Sequence, residues 1–253
     1  MVSTKKLKAL VLWGDGINCE GETQWILNHV GFETEQIHVN DFLKKSLKSL
    51  SDYKLLVFPG GFSFGDELGS GKVLSLKLKT IPQFLEKIWE ADLFMLGICN
   101  GFQVLMELGV FEEKPLDKEA RTLALAPNFG PEGRQGYINR WVKLKTQKND
   151  KSPWLAGLCE ELWMPIRHGE GRLITSSEKG PKLSPQVAFR YERDMNGSFD
   201  QVAGLLDTRG KILGLMPHPE ASVQASQLPG RGQPLKAPLG RLLFENFYRN
   251  LGT

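Results

Sequence analysis

The chain has 253 residues, of which 41% are apolar and 24% charged, and its formal net charge is +3. This composition is typical of a globular protein, and so weak a net charge argues against a nucleic-acid-binding surface. The three cysteines, Cys19, Cys99 and Cys159, lie far apart and form no Cys-x-x-Cys pair, so that neither a disulfide framework nor a zinc site is predicted. We therefore expect a cytoplasmic protein. The apolar stretch at residues 9–13 is too short for a secretion signal or a membrane span, and no membrane contact is expected.

The first hundred residues alternate between short apolar runs and amphipathic stretches. Strands are predicted at residues 8–13, 34–39 and 55–58 and directly before Cys99, and helices at residues 20–30 and 84–89. Strands that alternate with helices form right-handed βαβ units and a mostly parallel sheet. Ligand sites in such sheets lie beyond the carboxyl ends of the strands, where both Pro59-Gly60-Gly61 and Cys99 are predicted.

The second half of the chain contains short strand-like runs separated by Gly, Pro, Asn and Asp. These runs lie at residues 123–126, 137–144, 162–166, 187–191, 202–206 and 212–216. A surface loop is predicted at residues 228–238 and a closing amphipathic helix at residues 241–251. We therefore predict one α/β domain over residues 1–253, with an open, mostly parallel sheet flanked by helices and additional antiparallel strands in the second half.

The apolar run Leu-Phe-Met-Leu at residues 93–96 leads into Gly97-Ile98-Cys99-Asn100-Gly101 and then into an amphipathic stretch. A strand, a Gly-x-Cys-x-Gly turn and a helix are the layout of a nucleophile elbow, which exposes one side chain at a helix N-terminus. The alternative is a buried cysteine at the end of a core strand. The segment favours Cys99 as a candidate nucleophile.

A catalytic thiol needs a base, and the chain has four histidines. His29 is predicted on the apolar side of the first helix, and His38 has no acid at a useful spacing. His218 stands in Met216-Pro217-His218-Pro219-Glu220, directly after a predicted strand, and an extended or turn-like segment would place Glu220 on the same side. A rigid turn with a solvated His and Glu is the alternative, but the Cys99 elbow favours the catalytic interpretation.

An elbow nucleophile also needs donors for an oxyanion. The N–H of Asn100 is one donor by elbow geometry, and the loop Pro59-Gly60-Gly61 can supply a second. A tight turn after a strand is the alternative for this loop. The spacing of Gly69-Ser70-Gly71-Lys72 does not match a Walker loop, and no phosphate site is predicted there.

The chain resembles the class I glutamine amidotransferases, and within them the glutaminase subunits of phosphoribosylformylglycinamidine synthase. The resemblance covers nearly the whole chain and is carried by motifs in the family's order. They are Gly16-Ile17-Asn18-Cys19-Glu20, Phe58-Pro59-Gly60-Gly61-Phe62-Ser63-Phe64-Gly65-Asp66, Gly97-Ile98-Cys99-Asn100-Gly101-Phe102-Gln103, His168-Gly169-Glu170-Gly171-Arg172, Val187-Ala188-Phe189-Arg190-Tyr191, Asn196-Gly197-Ser198 and Met216-Pro217-His218-Pro219-Glu220.

The resemblance implies a catalytic triad that hydrolyses the side-chain amide of glutamine. Its members would be Cys99, His218 and Glu220, with backbone N–H groups of Gly61 and Asn100 as the oxyanion hole and Gln103, His168 and Gly169 as substrate-binding residues. Ammonia would pass to a PurL-like synthetase subunit, which uses ATP and magnesium to make formylglycinamidine ribonucleotide in de novo purine biosynthesis. The chain itself would need no cofactor and no metal. A small PurS-like third subunit is left open.

Two departures from the family pattern concern the partner interface rather than the triad. Ala221 stands where an arginine often follows His-Pro-Glu, and residues 127–140 are longer and more irregular than usual. Two other classes remain as alternatives: a non-catalytic interaction subunit, and a stress-response protein or peptidase with the same elbow. The presence of all three triad residues and of Met-Pro-His-Pro-Glu argues against both.

Overall fold

A computed structural model describes residues 6–44, 47–90, 92–113, 121–130, 133–134, 136–176, 180–229 and 239–252. Its centre is a sheet of nine strands in the order β2-β1-β3-β4-β13-β12-β11-β8-β9. The parallel half of this sheet consists of β1 (Lys8–Trp13), β2 (Glu33–His38), β3 (Leu55–Phe58), β4 (Phe94–Ile98) and β13 (Ile212–Leu215). The central strands β3, β4 and β13 are buried along their whole length, as expected for strands covered on both faces.

Antiparallel strands extend the sheet from β13 to its far edge. They are β12 (Val202–Leu206), β11 (Val187–Tyr191), β8 (Ile138–Thr146) and β9 (Glu161–His168). A separate two-stranded sheet pairs β5 (Leu123–Pro127) with β10 (Glu170–Thr175), and a short hairpin pairs β6 (Phe129–Gly130) with β7 (Gly133–Arg134). The predicted fold class is confirmed, with the parallel and antiparallel strands on opposite sides of β13.

The described helices are α1 (Glu20–Val30), α2 (Val39–Phe42), α3 (Lys72–Lys79), α4 (Phe84–Glu90), α5 (Asn100–Leu108) and α6 (Arg241–Asn250). They cover both faces of the sheet, as β4 shows. The ring of Phe94 packs against Phe247 of α6 with 5.3 Å between centroids, whereas a Cβ at Gly97 would lie 2.6 Å from Leu105 of α5. Because residues three apart on a strand point to opposite faces, α5 and α6 lie on opposite sides of the sheet.

Several local expectations are corrected by the structure. His29 does not pack into the core: the buried residues of α1 are Thr23, Ile26 and Leu27, and His29 is exposed and stacks on Trp25 at 5.1 Å. Strand β10 and helix α3 were not predicted. The loop predicted at residues 228–238 lies almost wholly outside the described residues. None of the helices within the described ranges combines the length and apolar character that crossing a membrane requires.

Candidate active site

Cys99 occupies a sharp turn between β4 and α5. Its backbone has φ +49° and ψ −103°, which a residue with a Cβ rarely adopts and which is typical of strained functional turns. The turn fits only because Gly101 lacks a side chain: a Cβ there would lie 1.9 Å from the carbonyl oxygen of Phe58. The local geometry is that of the predicted nucleophile elbow. Cys99 is also buried, with 5% of its surface exposed, and directly follows β4, as in the alternative of a buried cysteine at the end of a core strand, so its role as nucleophile stays a prediction.

His218 and Glu220 are brought to Cys99 by strand pairing. Strands β4 and β13 are parallel neighbours in which Ile98 pairs with Leu215, so the segments that follow both strands leave the sheet at one edge. Nδ1 of His218 lies 2.6 Å from Oε1 of Glu220, and the exposed fractions of the two side chains are 4% and 0%. The interpretation as a solvated turn is excluded by this burial.

The protonation of His218 reflects competing effects. Burial alone would lower the pKa of its imidazole, but the Glu220 carboxylate and contacts with the thiols of Cys99 and Cys19 raise that pKa well above its ordinary value. A buried imidazolium is thus stabilised next to the carboxylate. The thiolate is the nucleophilic form of cysteine, and a histidine beside a thiol can exchange its proton with it.

The loops that carry Gly61 and Asn100 both reach the nucleophile. Gly61 has φ +134° and pairs with Ile17 in an isolated β-bridge. The bridge has two hydrogen bonds: Asn18 N–H donates to Gly60 O, and Phe62 N–H donates to Gly16 O. Neither bond uses the N–H of Gly61. Asn100 is the first residue of α5, where a backbone N–H has no acceptor within the helix. Gly61 lines the same pocket as Cys99, and the role of both N–H groups as oxyanion donors stays a prediction.

A pocket of about 280 Å³ opens beside Cys99. It is lined by four of the other residues predicted for the site, Gly61, Gln103, His168 and Gly169. Its volume lies near the lower end of the range for ligand sites, about 300–1,000 Å³, which suits a small polar molecule. The sequence predicted no role in the site for the remaining lining residues, which are Phe62, Asp66, Ser70, Pro127, Tyr137, Arg167 and Glu170.

Asn100 and Gln103 belong to a polar network under this pocket. The Asn100 side chain accepts from Ser63 N–H at 3.0 Å and donates to Asp66 at 2.9 Å and to Gln103 Oε1 at 3.0 Å. The Gln103 amide in turn donates to the carbonyl of Glu170. These bonds fix the first turn of α5 relative to the pocket wall. They also hold the Gln103 amide between the Asn100 side chain and the backbone of Glu170.

His168 lies at the end of β9 and is buried without a hydrogen-bond partner for either ring nitrogen. Burial, together with the charge of His218, lowers the pKa of His168 to about 3. His168 is therefore neutral near neutral pH. Its neighbour Gly169 contributes backbone to the pocket, and Glu170 accepts a hydrogen bond from Ser70 Oγ at 3.0 Å.

Cys19 is the main residue of this region that the sequence reasoning did not place there. Its thiol, a ring nitrogen of His218 and a carboxylate oxygen of Glu220 all lie within 4.8 Å of one another. Burial raises the pKa of Cys19, although the proximity of His218 opposes this effect. The only sequence signal was its place in Gly16-Ile17-Asn18-Cys19-Glu20, which carries no chemistry by itself.

Comparison with known proteins gives one consistent result. The profile of the CobB/CobQ-like glutamine amidotransferase domain matches residues 6–249. The PurQ subunit of phosphoribosylformylglycinamidine synthase from Methanococcus maripaludis is 36% identical over 88% of this chain and 85% of its own length. The corresponding subunit from Picrophilus torridus is 32% identical over 96% and 98%.

Solved structures agree with these relatives. A chain of PurLQS from Thermotoga maritima superposes with a TM-score of 0.76 at 31% identity, covering 98% of this chain and 100% of that one. A glutamine amidotransferase from the same organism, at 16% identity and a TM-score of 0.58, shares the fold. The chain therefore belongs to the CobB/CobQ-like glutamine amidotransferase domain family and, within it, to the PurQ subunits of phosphoribosylformylglycinamidine synthase.

Proposed function

We propose that this chain is the glutaminase subunit of phosphoribosylformylglycinamidine synthase, and that it hydrolyses glutamine to glutamate and ammonia for purine biosynthesis. The observation that carries the proposal is the convergence of Cys99, in its strained elbow, with the buried His218–Glu220 pair beside an amino-acid-sized pocket. Membership of the PurQ family supplies the substrate and the pathway.

The first half of the reaction forms a thioester. The Cys99 thiolate attacks the side-chain amide carbon of glutamine, and the electron pair of the carbonyl moves to oxygen. The N–H groups of Gly61 and Asn100 hold this oxyanion, a contribution of about 3 kcal/mol per donor. The imidazolium of His218 gives its proton to the amide nitrogen, the carbon–nitrogen bond breaks, and ammonia leaves.

The second half regenerates the enzyme. Neutral His218 takes a proton from water, the resulting hydroxide attacks the thioester carbon, and the carbon–sulfur bond breaks to give glutamate and the Cys99 thiolate. Glu220, 2.6 Å from Nδ1, keeps the ring in the orientation that presents Nε2 to the reaction. Nε2 has no other hydrogen-bond partner in the described structure, so it is free for this proton transfer.

The pocket suits the charged end of an amino acid. Arg167 and Glu170 both line it and carry opposite charges, which complement the carboxylate and the ammonium group of a zwitterion. Gln103, His168 and Gly169 shape its floor and wall. The neutral state of His168 keeps a second positive charge away from His218 and from the departing ammonia.

The partner is an ATP-dependent synthetase subunit, and a small third subunit is compatible with the same assembly. The support is the Thermotoga maritima PurLQS structure, one chain of which this chain matches over 98% of its own length. We assign ATP and magnesium to the synthetase and no cofactor to this chain. The three free cysteines are consistent with a reducing, cytoplasmic compartment.

Glutamate release by the purified chain together with its synthetase tests the proposal directly. Cys99→Ala is expected to abolish glutamate formation, whereas Cys159→Ala, a change at a free cysteine elsewhere in the chain, is expected to leave it unchanged. A Cys99→Ala variant that is folded and still releases glutamate at the rate of the parent would contradict the proposal.

A further inference from the structure

Cys19 is a buried thiol at the catalytic site that takes no part in the reaction described above. It is 7% exposed, and its N–H donates to the Gly60 carbonyl at 3.3 Å. The position of Gly60 shows how closely this thiol lies to the imidazole. A Cβ built there would be 2.8 Å from Cε1 of His218 and 3.2 Å from Sγ of Cys19.

The thiol completes a set of three different ligand atoms. One sulfur, one imidazole nitrogen and one carboxylate oxygen lie within 4.8 Å of one another, and all three residues are buried. Cysteine, histidine and glutamate are the side chains that bind Zn²⁺, with ligand distances of about 2.0–2.3 Å. A tetrahedral centre of that size places neighbouring ligand atoms about 3.3–3.6 Å apart. Nδ1 of His218 and Oε1 of Glu220, now 2.6 Å apart, would have to separate slightly, while the Cys19 sulfur would approach from at most 4.8 Å.

An independent observation also points to a cation. Oε2 of Glu220 is buried and has no hydrogen-bond donor in the described structure, and the exposed fraction of the Glu220 side chain is 0%. A buried carboxylate oxygen without a partner is costly, and a bound cation would satisfy it.

We propose that Cys19, His218 and Glu220 form a reversible inhibitory site for Zn²⁺ or a similarly soft divalent cation. The inhibitory consequence rests on the proposed glutaminase function, whereas the binding itself does not. The spacing of residues 19, 218 and 220 matches no zinc motif, because the three ligands come together only through the pairing of distant strands and loops.

Binding of the ion exchanges protons and transfers no electrons. The Cys19 thiol releases its proton and binds through the thiolate, and Glu220 turns its carboxylate so that Oε2, the oxygen without a donor, binds the ion. The ion takes the place of the proton between Nδ1 of His218 and Glu220, and the neutral ring then keeps its one proton on Nε2. With Nε2 protonated and Nδ1 bound to the ion, His218 can neither accept a proton from water nor become an imidazolium, so hydrolysis stops.

The site differs from one in which Cys99 and His218 alone bind the metal. In that alternative the ion sits at Nε2, between the ring and the nucleophile, and Cys19 is irrelevant. In the site proposed here Cys99 is dispensable for binding. Replacing Cys19 and Cys99 in separate variants distinguishes the two arrangements.

The test measures Zn²⁺ binding by competition with a chromogenic chelator, which needs no glutamine turnover. The parent and Cys99→Ala are expected to bind one Zn²⁺ with affinities that agree within about two-fold. Cys19→Ser is expected to bind at least about a hundred-fold more weakly, since even outer-shell changes at metal sites cost 10–100-fold. Cys159→Ser, at a partly exposed cysteine, serves as the matched control and is expected to bind like the parent.

The second readout is glutamate release by the complex with the synthetase. Zn²⁺ is expected to inhibit the parent and Cys159→Ser, with recovery after addition of a chelator, and Cys19→Ser is expected to resist the same concentration. Thermal unfolding verifies that Cys19→Ser is folded, and Cys19→Ala repeats the test without a hydroxyl. Equal Zn²⁺ affinity in Cys19→Ser and the parent, or loss of binding in Cys99→Ala alone, would overturn the inference. Absence of glutamate release with intact, Cys19-dependent binding would instead refute the proposed function.

Discussion

The backbone N–H of Cys99 donates to the carbonyl of Leu215 at 2.8 Å, so the nucleophile is bonded directly to the strand that delivers its base. This bond continues the β4–β13 pairing one residue beyond β4 itself. His218 lies three residues further along and is held from the other side by its own N–H, which donates to Pro165 O at 2.9 Å. The distance between nucleophile and base is thus set by the sheet rather than by flexible loops.

Cys99 is expected to be the only cysteine that a diazo-ketone analogue of glutamine alkylates rapidly. It combines the strained elbow, a helix N-terminus and a neighbouring imidazole with a position on the pocket wall. Burial raises the pKa values of Cys19 and Cys159 and keeps both as thiols. Peptide mapping after brief labelling measures how the label is distributed among the three cysteines. Predominant modification of Cys19 would show that the wrong thiol has been assigned.

His218→Ala and Glu220→Gln are expected to differ in severity. Removal of the base should lower the rate of glutamate formation by about 10²–10⁴-fold. Glu220→Gln keeps a side chain that can still orient the ring, and it should retain at least about ten-fold more activity than His218→Ala. Steady-state assays with the synthetase present provide the comparison. His218→Ala with the activity of the parent would refute the triad.

Gly101→Ala is expected to destabilise the protein strongly, by about 3 kcal/mol or more, because the new Cβ would lie 1.9 Å from a backbone oxygen of β3. Gly21→Ala is the matched control. Gly21 lies in α1, and a Cβ there meets no atom within 4 Å, so this change should stabilise the protein by about 0.5–1 kcal/mol. Urea unfolding of both variants tests the elbow geometry, and a Gly101→Ala protein as stable as the parent would contradict it.

His168 is expected to make the protein sensitive to acid. Its pKa is about 3 in the folded state, below the value of about 6.5 in an unfolded chain, so the unfolded state binds more protons between these values. The stability that His168 contributes is complete above pH 6.5 and decreases as the pH is lowered. At pH 5 the free energy of unfolding is lower by about 2 kcal/mol. Urea unfolding at pH 7 and pH 5 should therefore show a smaller loss for His168→Leu than for the parent.

The pair of His218 and Glu220 acts in the opposite direction. The folded-state pKa of His218 is raised, so the stability from this pair is complete below about pH 6.5 and is lost as pH rises through the folded value.

The His168→Leu variant isolates the acid-sensitive part of the dependence of stability on pH. His29→Asn, at an exposed position, provides the control, and an unchanged profile in His168→Leu would exclude His168 as the source.

Much of this architecture could be predicted because its signals are local. The elbow is a strand, two glycines and a helix within sixteen residues, and His218 and Glu220 are only two positions apart. Pro219–Ala221 form a short 3-10 turn rather than an extended segment, and this turn keeps the two side chains in contact. The fully buried strands β3, β4 and β13 read as continuous apolar runs. Such features depend on nearest neighbours along the chain.

Other features could not be predicted because they depend on distant contacts. Cys19 meets His218 only after β13 has inserted beside β4, and no local pattern reports that event. The exposed face of α1 was misassigned because Trp25 and His29, which suggest an apolar stripe in sequence, stack on each other in solvent. Strand β10 pairs with β5 across more than forty intervening residues, and its alternation is interrupted by a bulge at residues 170–172.

The glutaminase activity of this chain is expected to depend on the synthetase. A glutaminase that is fully active alone would release ammonia to solvent, so the isolated chain is expected to turn over slowly. The Gly60–Gly61 loop is the element best placed to respond to a partner. It is held by a two-bond bridge to residues 16–18, and the adjacent Phe62 side chain is 45% exposed beside the pocket.

A partner that covers Phe62 can move the Gly61 N–H into or out of line with Cys99, and loss of one oxyanion donor costs about 10²–10³-fold in rate. We therefore expect the synthetase, with formylglycinamide ribonucleotide and ATP, to raise glutamate formation by at least about a hundred-fold. Glutamate assays with and without the partner measure this factor. Cys99→Ala in the same complex controls for hydrolysis by the synthetase itself, since it should show no increase. A purified chain that already turns over at the rate of the complex would show that the oxyanion hole is complete without a partner and that docking does not gate the reaction.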